Sequence, residues 1–214
     1  DRLRFVRKCT GNIIAPFNAW LTTRGIKTLP LRLREHSRNA QTIAQWLEQH
    51  PGVERVYYPG LASVEQADLA RRQHIGGYHG GVVAFELVGG LDAGRVLMNS
   101  VHLCRLVEHI GSVETLITHS ASMTHADVPP ELRQRVGITD GLVRLSVGLE
   151  SPDDIINDLD AAISAATQHA SAAPTTTPRR RRPAPGAASP STKNTMVHSS
   201  FIEAASRLTS GCIR

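Results

Sequence analysis

An arginine within an apolar strand pattern is the side chain of this sequence best suited to bind a small anion. Arg144 lies in the segment 142–147, Leu-Val-Arg-Leu-Ser-Val, whose alternation predicts a half-buried β-strand. An arginine is seldom buried unpaired, because the loss of its hydration is costly unless an anion replaces the water. A guanidinium fixed on a strand can hold a carboxylate through two parallel hydrogen bonds. Spacing alone favours the alternative, which is a structural salt bridge or an exposed residue at a sheet edge.

The sequence contains none of the other short motifs that signal enzyme chemistry. It has no Gly-rich dinucleotide or phosphate loop, no G-x-S-x-G elbow, and neither H-E-x-x-H nor paired Cys-x-x-Cys. The ten histidines are scattered, and His119 and His125, on a predicted loop, do not have the spacing of a zinc site. We therefore predict no metal. Cys9, Cys104 and Cys212 are predicted to be reduced thiols, because they are odd in number and far apart.

The apolar periodicity up to about residue 167 predicts helices that alternate with strands. Pairs such as Pro51-Gly52 and Pro59-Gly60 separate these elements. The predicted helices cover 16–24, 29–49, 64–73, 91–101, 131–135 and 151–166, and the predicted strands cover 53–58, 82–88, 103–107 and 142–147. Four strands separated by helices predict an α/β or α+β unit with helices on one face of the sheet. Arg144 would then lie on the last of the four strands.

The charge of the chain is divided unevenly at residue 168. Residues 168–214 hold seven of the 24 Lys and Arg and one of the 19 Asp and Glu, so residues 1–167 carry a net charge of −1. The basic segment is rich in Pro, which predicts a disordered tail; a solvated linker is favoured over a nucleic-acid patch at 179–182, because no aromatic residue is interleaved. A membrane helix needs about 18 consecutive apolar residues, which the sequence lacks, and its first residues lack a secretory signal. We expect neither nucleic acid nor a membrane as a partner.

Several short motifs, in a fixed order, carry a resemblance to one enzyme family. Residues 141–150 read Gly-Leu-Val-Arg-Leu-Ser-Val-Gly-Leu-Glu, and residues 121–125 read Ala-Ser-Met-Thr-His. Upstream stand Pro-Phe-Asn-Ala-Trp-Leu at 16–21, Arg-Gly-Ile-Lys-Thr-Leu at 24–29, Tyr-Pro-Gly-Leu at 58–61 and Ala-Phe-Glu-Leu at 84–87. Between residues 4 and 166, the sequence resembles the C-terminal half of the Cys/Met-metabolism family of pyridoxal-phosphate enzymes. Its members include cystathionine γ-lyase, cystathionine γ-synthase, cystathionine β-lyase and methionine γ-lyase.

The resemblance implies the C-terminal α/β domain of a fold-type-I enzyme, with a mainly antiparallel four-stranded sheet covered by helices on one face. Residues 1–50 would be a helical segment leading to a large pyridoxal-phosphate-binding domain upstream, and residues 51–167 the C-terminal subdomain. The family holds its cofactor on a lysine in a Ser-x-Thr-Lys motif, and none of Lys8, Lys27 and Lys193 stands in one. We therefore expect a fragment that has no catalytic or cofactor-binding residue of its own and is inert alone.

Four substrate-binding residues follow from the resemblance. Arg144 matches the arginine that binds the α-carboxylate of the substrate, and Thr124 matches a threonine near the same carboxylate. Glu108 matches an acidic position that faces the distal part of the substrate in cystathionine-using members, whereas methionine γ-lyases are apolar there. His109 stands where a serine is usual, and this departure leaves the identity of the substrate open.

The function implied by the resemblance is that of a pyridoxal-phosphate-dependent carbon–sulfur lyase, which acts by γ-elimination on cystathionine or methionine. One alternative is a γ-replacement synthase of the cystathionine γ-synthase or O-acyl-homoserine sulfhydrylase type. Another is a catalytically dead remnant or an interaction module. The resemblance also implies an amino-acid substrate as partner, a homotetramer for the full-length protein and a cytoplasmic location.

Overall fold

The computed structural model describes residues 1–172, which form helices and one β-sheet. The helices are α1 (Arg2–Thr10), α2 (Pro16–Ile26), α3 (Leu29–Gln49), α4 (Ala67–Gln73), α5 (Gly90–Ser100), α6 (Pro130–Arg135) and α7 (Pro152–Ala172). The strands are β1 (Val53–Tyr57), β2 (Val82–Leu87), β3 (Arg105–Leu106), β4 (Leu116–His119) and β5 (Leu142–Ser146), and a 3₁₀ turn covers Ile75–Gly77. The predicted tail falls outside this range, except that 168–172 continue α7.

Helix α3 follows directly from its residue pattern. The apolar residues that recur at helical spacing are fully buried: Ala40, Ile43, Ala44 and Leu47. Pro30 lies in the first turn, where a backbone N–H would have no helical partner. The helix ends just before the Pro51-Gly52 pair. In contrast, α1 and α2 bury no residue.

The sheet has five strands in the order β1-β2-β5-β4-β3. Strands β3 and β4 pair in parallel, and the other neighbours are antiparallel. The prediction of a mainly antiparallel four-stranded sheet is therefore wrong. It missed β4, because all four residues of this strand are buried and two of them, Thr118 and His119, are polar, so the strand shows neither alternation nor an apolar run.

One face of the sheet forms the core with the helices. Val83 and Phe85 of β2, together with Val143 and Leu145 of β5, are fully buried in a cluster with residues of α3, α5 and α7. Side chains alternate between the two faces of a strand. Arg144, between two core residues, therefore points to the opposite face, where it is half-buried.

Candidate functional site

Arg144 occupies the middle of the sheet on the face opposite the core. Strand β5 is third of the five strands, and Arg144 is paired with Ala84 of β2 on one side and Thr118 of β4 on the other. Its Nη2 donates hydrogen bonds to the main-chain oxygen of His109 at 3.1 Å and to Oγ1 of Thr118 at 3.3 Å. Both acceptors are neutral, so they orient the guanidinium without neutralising its charge.

No acidic side chain within residues 1–172 forms an ion pair with Arg144. The ion pairs found there use Arg38, Arg71, Arg95, Arg133 and His50. Spacing alone favours a salt bridge or a position at the edge of the sheet. Within residues 1–172, Arg144 has neither, because it forms no ion pair and lies on the central strand. A half-buried guanidinium with spare donors is a strong site for a carboxylate.

The loop between β3 and β4 is fastened over the open face beside Arg144. Thr118 Oγ1 donates to the main-chain oxygen of Val107 at 3.0 Å, and the N–H of Gly111 donates to Ser146 Oγ at 3.1 Å. Thr118 and Ser146 thus fix both ends of residues 107–111. Sequence reasoning missed both residues, because only the register of three strands brings them to the neighbourhood of Arg144.

Glu108 and His109, two of the predicted site residues, lie on this fastened loop. Both side chains are exposed, and the main-chain oxygen of His109 is the one that accepts from Arg144. The structure therefore brings Arg144 and the Glu108–His109 segment together. The imidazole of His109 and the carboxylate of Glu108 make no hydrogen bond within residues 1–172, so both are available to a ligand.

Thr124, the fourth predicted residue, lies in the turn that follows β4. Its side chain is exposed, and its Oγ1 lies 2.8 Å from Nδ1 of His125. Within the part of the chain that the structure describes, no hydrogen bond joins Thr124 to Arg144. Proximity of Thr124 to the bound carboxylate remains a prediction.

The turn that carries Thr124 is held by a buried polar cluster that includes His119. The ring of His119 lies 2.8 Å from Ser122 Oγ and 2.9 Å from the main-chain oxygen of Asp140. Burial lowers the pKa of His119, although the contact with Asp140 opposes this shift. His119 is the last residue of β4 and lies in the core, so the prediction that placed it on a loop is wrong.

Arg133 completes the buried cluster by pairing with an acid. Its Nη2 donates to Oδ1 of Asp140 at 2.7 Å, and its Nη1 donates to the main-chain oxygen of Ala121 at 3.3 Å. Arg133 is only 7% exposed. The cluster therefore has a structural role.

A cleft of about 230 Å³ opens next to Arg144 along the same face. Ser146, two residues further along β5, lines it, as do Ile110 and Gly111 of the fastened loop. The N-terminal half of α3 closes the other side with Leu33 and His36. Arg144 does not itself line this cleft, which begins two residues along β5 from it.

Residues 1–172 do not fit a pyridoxal-phosphate site. Lys8 and Lys27 are the lysines in this range; both are exposed, on α1 and at the end of α2. The same range contains no group of three or more His, Cys, Asp or Glu side chains that could hold a metal ion. It also contains no helix long and apolar enough to span a bilayer.

Comparisons of this chain with known proteins point to one family. The family model described as "Cys/Met metabolism PLP-dependent enzyme" matches residues 1–164. The L-methionine gamma-lyase of Porphyromonas gingivalis is 53% identical over 154 residues, which are 72% of this chain and 38% of that protein. The cystathionine beta-lyase of Coxiella burnetii is 45% identical over 163 residues, 76% of this chain and 42% of that protein.

A solved structure agrees with the sequence matches. The crystal structure of cystathionine gamma-lyase from yeast aligns with a TM-score of 0.73 and 40% identity, covering 78% of this chain and 42% of that one. The chain thus spans about two fifths of the length of these relatives.

Proposed function

Because the chain belongs to the Cys/Met-metabolism family of pyridoxal-phosphate-dependent enzymes, we propose that it supplies the carboxylate-binding half of an enzyme that cleaves a carbon–sulfur bond in a sulfur amino acid. The observation that carries the proposal is the guanidinium of Arg144. It lies at the centre of the sheet, is oriented by two neutral oxygens and has no acidic partner within residues 1–172.

Arg144 would act by fixing the α-carboxylate of the substrate. A bidentate contact determines both the position and the rotation of a carboxylate, and therefore the direction of the bonds at Cα. Pyridoxal phosphate, when bound, withdraws electrons from Cα and makes its C–H bond more acidic. The residues that hold the cofactor would come from an upstream part of the protein, since residues 1–172 do not fit it.

Glu108 and His109 would select the side chain of the substrate. An exposed carboxylate at Glu108 favours a substrate with a distal ammonium group, as in cystathionine, because opposite charges attract. His109 is bulkier than serine and would narrow the space available to the substrate side chain. We propose γ-elimination of a cystathionine- or methionine-type substrate. γ-Replacement by a synthase is the second candidate, because cleft and carboxylate site would serve either reaction.

We also propose that Thr124 lies near the bound carboxylate, and that the full-length protein is a homotetramer located in the cytoplasm. The turn that carries Thr124 is held by the buried cluster around His119, so a substrate could meet it in a fixed position. The exposed apolar side chains of α1 and α2, such as Phe17 and Trp20, favour association with further protein surface.

A chimeric enzyme tests the proposal. The upstream part of the P. gingivalis methionine γ-lyase, which this chain does not match, would be joined in register to the 214-residue chain. We expect the chain alone to show no visible absorbance band with pyridoxal phosphate, and the chimera to show the band and to turn over cystathionine or methionine. The intact P. gingivalis enzyme is the positive control. A chimera that folds and shows the band but acts on neither substrate, nor on homocysteine, would contradict γ-elimination. Turnover of an O-acyl-homoserine with a thiol would then favour the synthase, and its absence would favour a dead remnant.

A further inference from the structure

Two histidines that the proposed function does not use meet in the segment between α4 and β2. The Nδ1 atoms of His74 and His79 lie 2.8 Å apart, and their ring centroids are 5.0 Å apart. Both residues are half-buried. The glycines between and after them, Gly76, Gly77 and Gly80, have positive φ angles, which let the segment turn back so that the rings converge.

We propose that His74 and His79 form a chelating site for a divalent transition-metal cation that prefers right-angled coordination, of which Ni²⁺ and Cu²⁺ are the examples. Imidazole nitrogens bind such cations at about 2.0–2.1 Å, so adjacent ligands at 90° lie roughly 2.9 Å apart and tetrahedral ligands roughly 3.3 Å apart. The observed separation of 2.8 Å is closer to the first distance than to the second, so the cation would need only a rotation of the rings toward it. Water would complete the coordination, because residues 1–172 offer no third side chain of the usual kinds at this position.

The rings are held in place before a metal arrives. The residue after His79, Gly80, is fixed on both of its polar groups: its N–H donates to Ser37 Oγ at 3.0 Å, and its main-chain oxygen accepts from the Tyr58 hydroxyl at 2.9 Å. The ring of Tyr58 packs edge-on against that of His79. His74 is anchored at the end of α4, where its N–H donates to the main-chain oxygen of Ala70. Little conformational entropy would be lost on binding.

The positions of the protons on the two rings, and the access of a cation to them, both suit a metal site. In a hydrogen bond between two neutral rings, one Nδ1 carries the proton and the other accepts it with its lone pair. On metal binding, the protonated ring moves its proton from Nδ1 to Nε2, and no net charge is lost. His74 also lines a cleft of about 340 Å³ beside Tyr57 and Leu69, which provides a route for a hydrated cation.

Titration of the tag-free 214-residue chain with Ni²⁺ in a calorimeter tests this site without any need for enzyme activity. We expect one site per chain, and we expect His74→Gln and His79→Gln each to weaken it by about tenfold or more, because either change destroys the chelate. His102→Gln is the matched control, since it removes one exposed imidazole and should leave the affinity unchanged. Electron paramagnetic resonance of the Cu²⁺ complex should show two coupled nitrogens.

The proposal fails if both variants keep the wild-type affinity within about twofold, if only one of the two rings matters, or if no site fills below about 1 mM Ni²⁺. Far-UV circular dichroism checks that each variant is folded. If His79→Gln unfolds because of the lost packing on Tyr58, the His74→Gln variant and the nitrogen count carry the test.

Discussion

Replacement of Arg144 by leucine should impair catalysis without destabilising the fold. In the chimeric enzyme, the variant loses a charge-assisted bidentate contact with the substrate. Hydrogen bonds to charged groups contribute about 1.5–3 kcal/mol each, so the loss is about 3 kcal/mol or more, and kcat/KM should fall by about 100-fold or more, with a raised KM.

The stability of the 214-residue chain should respond quite differently. The leucine variant loses two hydrogen bonds to the neutral oxygens of His109 and Thr118. Because the Arg144 side chain is half-exposed and water can replace both contacts, together they contribute only about 1–2 kcal/mol, less than the same bonds would when fully buried. The substitution also removes a half-buried charge that no acid of residues 1–172 pairs with, and this change stabilises the fold. We expect the free energy of unfolding in urea to stay within about 1 kcal/mol of wild type.

Arg133→Leu is the matched control, because Arg133 is buried and paired with Asp140. Its removal deletes buried hydrogen bonds to Asp140 and to the main-chain oxygen of Ala121 and should cost about 2–3 kcal/mol of stability, because water can reach only the Asp140 side of the pair. If Arg144→Leu destabilised the chain as much as Arg133→Leu does, Arg144 would be a structural residue, and unchanged kcat/KM in the chimera would lead to the same conclusion.

Three further changes test the packing and the buried polar groups. Gly94→Ala should destabilise the chain by about 3 kcal/mol in urea, because the new methyl group would overlap the ring of buried His119, whereas Gly25→Ala meets no atom and should not destabilise it. Asp158 accepts three hydrogen bonds from the backbone N–H groups of 102–104, and Asp158→Ala should cost about 2 kcal/mol. Although desolvation raises the pKa of Asp158, these bonds lower it overall, so its contribution should be lost as the pH falls below about 4, and the alanine variant should show a shallower acid dependence of stability. Burial lowers the pKa of His119, so the unfolded chain takes up the proton first, and stability should fall as the pH drops below about 6.5; His119→Gln should flatten that part of the profile.

The elements that could be predicted from the sequence are those whose signals are local. Helix α3 has a helical period of apolar residues and a Pro-Gly pair after its end, so both of its boundaries were predicted correctly. Strand β4 has only four residues, and its buried Thr118 and His119 depend on partners elsewhere in the chain. No local pattern marks such a strand, and the prediction of a four-stranded sheet failed for that reason.

The residues of the candidate site also differ in how far the sequence can identify them. Arg144 could be singled out because a charged residue between apolar neighbours is unusual in itself, although spacing alone favours a salt bridge or an edge position, and its proposed role comes from the family resemblance. Thr118 and Ser146 could not, because their importance comes from strand pairing and from the loop that they fasten. Residue type and local context mark a candidate for ligand binding, whereas the residues that orient it are set by contacts distant in sequence.

The burial pattern along the chain divides it at α3. No residue before His36 is buried, and from His36 onwards the apolar side chains of the helices and strands close a core of their own. Phe17 is 65% exposed and Trp20 is 56% exposed on α2. Contiguous apolar surface of this kind is unfavourable in water and marks an interaction site. Residues 1–33 are therefore not needed to complete the core around the sheet, and their apolar faces are suited to contact the further part of the protein that would hold the cofactor near Arg144.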